Sequence, residues 1–182
     1  MSILSHKAVW RLLLAIGIGA VLADSCRGWY SVVLYGLLLL GPAIEDGRSG
    51  YISDDWSVLL AFTGLISSWQ QGYIGESMVT AGVLLLLYGL VFLWRREAVG
   101  MGDVLLSVAA SLWLTPLFGI CFLWIASISA LVFYGGCFLF CQSLASKGVR
   151  FGPFLALGGV IAYGMQEMWG ISLLYAFWLY PR

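Results

Sequence analysis

Asp46 and Asp103 are the residues whose surroundings best suit chemistry. Asp103 follows Val99-Gly100-Met101-Gly102 and precedes the apolar run Val104-Leu105-Leu106, while Asp46 closes an apolar segment that begins at Trp29. One acid ends an apolar run and the other opens one, which places both at the same depth on the same side of a membrane. Two facing carboxyl groups cannot both ionise cheaply, so one keeps a proton while the other stays charged. Such an asymmetric pair can draw a proton from water and give one to a carbonyl oxygen, the general acid–base attack that splits a peptide bond. Gly100 and Gly102 would let a substrate backbone come close to Asp103. Each residue also has a plainer role. An acid at a helix start complements free N–H groups and the helix dipole, and an acid just past an apolar run is ordinarily solvated. The combination, not either residue, favours chemistry.

Other reaction types are poorly supplied. His6 is the only histidine and lies near the start of the chain, and Cys26, Cys121, Cys137 and Cys141 form no C-x-x-C pair. Three of these cysteines sit in apolar helical sequence, where cysteine behaves as a small hydrophobe. Neither a zinc site nor a disulfide framework is expected.

The elements that must position the two acids are helices in lipid. Of 182 residues, 62% are apolar and 10% charged, against about a quarter charged in a soluble domain. Apolar segments run Ala8–Ala23, Trp29–Ile44, Trp56–Trp69 and Met78–Trp94. The stretch Asp103–Cys141 covers about 58 Å as helix, enough for two crossings of a core about 30 Å thick, with Thr115-Pro116 as the turn between them. Another segment runs from Phe151 to Met168, and the aromatic tail Trp169–Tyr180 is expected as a short interfacial helix or a short last span. The expected fold class is all-α: a polytopic membrane helix bundle with about seven transmembrane spans. It forms a single domain over residues 1–182, with a first span at 8–23 and a core from 29 to 168. Lys7 and Arg11 flank the first segment like a signal peptide, yet further spans follow at once, so it is expected to stay uncleaved.

Charge sets the orientation. With the N-terminus in the cytoplasm, Lys7, Arg11, Arg48, Arg95, Arg96, Lys147 and Arg150 all lie inside and Arg27 outside, as the positive-inside rule requires. Glu45, Asp46, Asp54 and Asp55, in the loop between the second and third spans, then share the cytoplasmic border with Glu97 and Asp103. Asp24, Glu76 and Glu167 fall on the other side. The lipid bilayer is the expected surrounding, and a formal charge of zero suggests no nucleic-acid partner.

At this point the residues resemble a known family. Gly100-Met101-Gly102-Asp103 resembles the GxGD motif of type IV prepilin peptidases, a group that extends to archaeal preflagellin peptidases and, distantly, presenilin. Asp46-Gly47-Arg48-Ser49-Gly50-Tyr51-Ile52-Ser53-Asp54 resembles their first aspartate motif, D-x-R-x-x-x-I-P-[DN]. Phe151-Gly152-Pro153-Phe154-Leu155-Ala156-Leu157-Gly158 resembles the F-G-P-F-L-A-x-G segment of the bacterial enzymes. The three blocks follow the family's order. The resemblance implies that Asp46 and Asp103 are two catalytic aspartates that activate water, with Gly100 and Gly102 shaping the site, and that no metal or organic cofactor is used. It implies prepilin-like substrates, pilins or pseudopilins, cleaved after a leader glycine at the cytoplasmic face of the inner membrane. Their basic leaders would be drawn by Glu45 and Asp54, an attraction that salt weakens; Asp55 reads more simply as a solvated acid.

Three departures stand out. Ser53 replaces the usual proline. Leu105 stands where the family commonly has a lysine two residues after the motif aspartate. The cysteine-rich N-terminal region linked to N-methylation in longer members is not found, so methyltransferase activity is not expected. Leu105 motivates the alternative of a catalytically lapsed homologue serving as a membrane scaffold in pilus or secretion assembly. A proton-relay transporter fits less well, because the acids gather on one side and leave the midplane apolar. A presenilin-type protease fits GxGD but not the F-G-P-F-L-A block. Nothing in the sequence fixes the oligomeric state.

Overall fold

The computed structural model describes residues 29–94, 100–140 and 150–169. The expected first span 8–23, Glu97, the loop from Gln142 and the tail beyond Trp169 lie outside the described residues. Those described form six helices: α1 Trp29–Ser49, α2 Asp54–Gln70, α3 Ile74–Trp94, α4 Met101–Ser111, α5 Pro116–Phe140 and α6 Gly152–Trp169.

Helix α1 shows how the bundle is written in the sequence. Val32, Tyr35, Leu39, Pro42 and Asp46 recur at helical spacing and are all buried, so Asp46 ends the core-facing stripe. Tyr30, Val33, Leu37, Leu40 and Ile44 point outward, and lipid suits such a surface. The pattern is sharper in α3, where Ser77, Thr80 and Ala81 are buried while Leu85, Leu86, Leu90 and Leu93 are exposed. Small and polar residues inside with large apolar ones outside is the arrangement of helices packed in a bilayer. Between α5 and α6 the backbones come very close: a Cβ at Gly158 would lie 2.9 Å from the Phe122 carbonyl oxygen and 3.0 Å from Ala126.

The chain breaks between α4 and α5 at the expected Thr115-Pro116 turn, with Pro116 as the first residue of α5, where its missing N–H costs nothing. Helix ends leave backbone groups without partners, and here side chains supply them. Gln166 of α6 accepts the Thr115 N–H at 2.8 Å and donates to the Trp113 carbonyl at 3.2 Å, and the Tyr73 hydroxyl donates to that same carbonyl at 3.0 Å. Trp113 is fully buried, its indole N–H donates to Leu60 O at 3.0 Å, and its ring packs against Tyr35 and Tyr163 at centroid distances of 5.0 and 5.5 Å.

Two expectations change. Glu45 and Asp46 belong to the last turns of α1, and Asp54 and Asp55 to the first turn of α2, leaving a linker of only Gly50–Ser53. The apolar run simply continues its helix through Glu45-Asp46-Gly47-Arg48 until Gly50, whose positive φ of 68° ends it, with the Gly50 N–H bonded to Asp46 O at 2.9 Å. The helical class holds, but among the described residues only α3 and the Pro116–Gly136 part of α5 are long and apolar enough to cross a membrane. Helix α4, at 11 residues, reaches about 16 Å, half of a crossing.

Candidate active site

One end of the bundle collects the end of α1, the Gly50–Ser53 linker, the start of α4 and the start of α6. Asp46 arrives on the last buried turn of α1 and is 6% exposed. Its Oδ2 accepts the backbone N–H of Gly152 at 2.9 Å, the first residue of α6. A side chain there is excluded, because a Cβ at Gly152 would sit 2.8 Å from that same oxygen. Arg150 reinforces the contact: its guanidinium donates to Gly47 O, and its own N–H donates to the Tyr134 hydroxyl at 2.8 Å. The strap Arg150-Phe151-Gly152 therefore grips the end of α1 around Asp46.

Asp103 sits in the first turn of α4, capped by Gly100, and lies outside the two membrane-spanning helices. Its N–H returns to Gly100 O at 3.1 Å and its carbonyl accepts the Ser107 hydroxyl at 2.6 Å. Oδ1 of its carboxyl is buried with no hydrogen-bond partner. Burial, and secondly the neighbouring Asp46 carboxylate, hold the Asp103 carboxyl above the usual carboxylate range. The Tyr88 hydroxyl, from α3, lies beside Ser107 and faces the same carboxyl. The structure thus brings Asp46 and Asp103 into electrostatic contact from two helices remote in sequence.

The other expected site residues divide. A Cβ at Gly100 would touch Asp103 Oδ2 at 3.4 Å, and one at Gly102 would press on Ile52 Cβ at 3.2 Å. Gly102 accordingly makes room for the linker that follows Asp46, locking the two aspartate segments together. Glu45 is half-buried, and its Oε2 accepts the Ser53 N–H at 3.2 Å. Asp54 is exposed at the start of α2. The Ser53 departure is mild in backbone terms, since its φ of −74° is one that proline also adopts. Leu105 is half-buried in α4. Sequence reasoning quoted Gly152 only as part of a motif and Arg150 only as a topological charge. The signal that would have found them is the position of the F-G-P-F block at a helix start, with free N–H groups ready for an anion.

The comparisons agree with this arrangement. Residues 31–135 match the model of the type IV leader peptidase family, Peptidase_A24. A protein of Escherichia coli O78:H11 (strain H10407 / ETEC), named type 4 prepilin-like proteins leader peptide-processing enzyme, is 29% identical over 153 residues, 78% of this chain and 54% of that protein. The chain spans about half the length of that relative. No solved structure matches. A match over more than half of the chain, holding both aspartate segments, decides the matter: the chain belongs to the type IV leader peptidase family.

Proposed function

We propose that this chain is a membrane aspartyl endopeptidase that removes the leader peptide of prepilin-like proteins at the cytoplasmic face, with Asp46 and Asp103 as its reacting groups. The observation that carries the reading is the buried Asp103 carboxyl held protonated beside Asp46. One carboxylate takes a proton from water as the oxygen attacks the scissile carbonyl. The protonated partner gives its proton to the carbonyl oxygen. Collapse of the tetrahedral species returns a proton to the leaving amine, and the pair regains its starting state. Asp54, exposed and acidic, suits the basic leader, whereas Glu45 is committed to Ser53 and contributes to the linker's shape.

The test is leader cleavage in membranes by the parent, Asp46→Asn and Asp103→Asn. Asparagine keeps the shape but exchanges no proton as a carboxyl does, so each variant should lose cleavage entirely while its membrane level stays near the parent's. Asp55→Asn should keep most activity. Cleavage by both Asp variants would end the aspartyl reading. A parent inactive on its own substrate would favour the lapsed scaffold, with Leu105→Lys as the variant expected to restore cleavage.

A further inference from the structure

The two aspartates are not equivalent. Asp46 receives a backbone N–H at 2.9 Å from the first residue of α6, and the Arg150 guanidinium bonds the carbonyl next to it. Asp103 has a buried oxygen without any donor. A backbone donor at a helix N-terminus favours negative charge on the oxygen it meets, while a carboxyl oxygen buried without a donor favours the neutral form. The groups around the pair point the same way. Tyr88 from α3 and Ser107 from α4 stand near Asp103 and bring no positive charge, Tyr134 from α5 is taken by the Arg150 N–H, and Glu45 from α1 is turned to Ser53.

We infer that Gly152 is a positioning residue whose backbone N–H holds Asp46 as the charged member of the pair and so leaves the shared proton on Asp103. Resting on the assignment of these two aspartates to the reaction, it fixes their roles: Asp46 takes the proton from water, and Asp103 donates to the carbonyl oxygen. Glycine is required at 152 because any Cβ would displace the Asp46 carboxylate from the donor. The same contact explains what the F-G-P-F segment does in this chain. It brings the start of a helix to the first aspartate without supplying any reacting side chain.

The experiment uses infrared spectroscopy of the full-length chain in lipid, with isotope-labelled aspartate carboxyls, at the pH of maximal cleavage. The signal of a protonated aspartic acid should be present in the parent, lost in Asp103→Asn and retained in Asp46→Asn. Loss in Asp46→Asn with retention in Asp103→Asn would reverse the roles and overturn the inference, as would loss or retention in both. This readout does not depend on cleavage, so it fails separately from the proposed activity. Gly152→Ala adds a kinetic arm. Losing a hydrogen bond to a charged group should lower the turnover number about 10- to 100-fold with little change in KM, since Gly152 contacts Asp46 and not the leader. Its pH profile should shift from the parent's. Unchanged turnover and an unchanged profile in Gly152→Ala would overturn the positioning role.

Discussion

At the residue scale, the site exacts a stability cost that can be measured without any substrate. Asp103 is held above the usual carboxylate range by burial first and by Asp46 second. The folded state therefore binds its proton more tightly than the unfolded chain does, and unfolding free energy falls as pH rises through the interval between the ordinary carboxylate value and the raised one. Below that interval the penalty is absent, and above it the penalty is complete. Asp103→Asn removes it, so the variant should unfold at a higher temperature than the parent at neutral pH. The gap should close as pH falls into the ordinary carboxylate range, as thermal unfolding in detergent at several pH values will report. A gap independent of pH would show that Asp103 titrates normally. The chemistry of this residue was legible in the sequence because glycines and an apolar run flank it. Its missing donor was not, since that depends on what the third dimension leaves out of reach.

At the element scale, the short helix α4 carries Asp103, and its far end is fixed by an aromatic and amide latch. The Tyr35 hydroxyl of α1 donates to Ala110 O at 3.1 Å, tying the helix of one aspartate to the helix of the other. Trp113 packs against Tyr35 and Tyr163, and Gln166 serves the Trp113 carbonyl and the Thr115 N–H. Removing the Trp113 side chain leaves a large cavity, and Trp113→Ala should cost about 3–5 kcal/mol. Gln166→Leu fills the space but strands two buried backbone groups, with a loss of about 1–3 kcal/mol. Unfolding by a denaturing detergent titration measures both. A loss in Trp113→Ala below that of Gln166→Leu would mean that the break is held by its polar contacts instead of its core. The Thr115-Pro116 turn was readable because proline starts helices and cannot continue them. The extent of α1 was not. Glu45, Asp46 and Arg48 look like loop residues by polarity, yet each is a good enough helix residue once packing against α6 holds the turn, and only Gly50 carries a conformation that ends it.

At the scale of the whole molecule, contacts sort the helix ends into two groups. Asp46, Ile52, Gly102, Tyr134, Arg150 and Gly152 meet at one end, and Gln71, Tyr73, Trp113, Tyr163 and Gln166 meet at the other. Exposed aromatic residues follow the same division. Tyr51 and Trp94 lie at the aspartate end, 66% and 90% exposed, while Tyr30, Trp69 and Trp169 lie at the far end. Two aromatic girdles around an apolar waist are what two membrane interfaces select. The basic residues described, Arg48 and Arg150, are both at the aspartate end, which makes that end cytoplasmic under the positive-inside rule. A chain whose native cysteines are replaced, carrying either Tyr51→Cys or Gln70→Cys, tests this directly, since both positions are exposed and lie at opposite ends. An impermeant thiol reagent added outside intact cells should label Gln70→Cys and should reach Tyr51→Cys only after the membrane is opened. Labelling of Tyr51→Cys in intact cells would place the aspartate pair on the outer face, beyond any substrate whose leader is still in the cytoplasm.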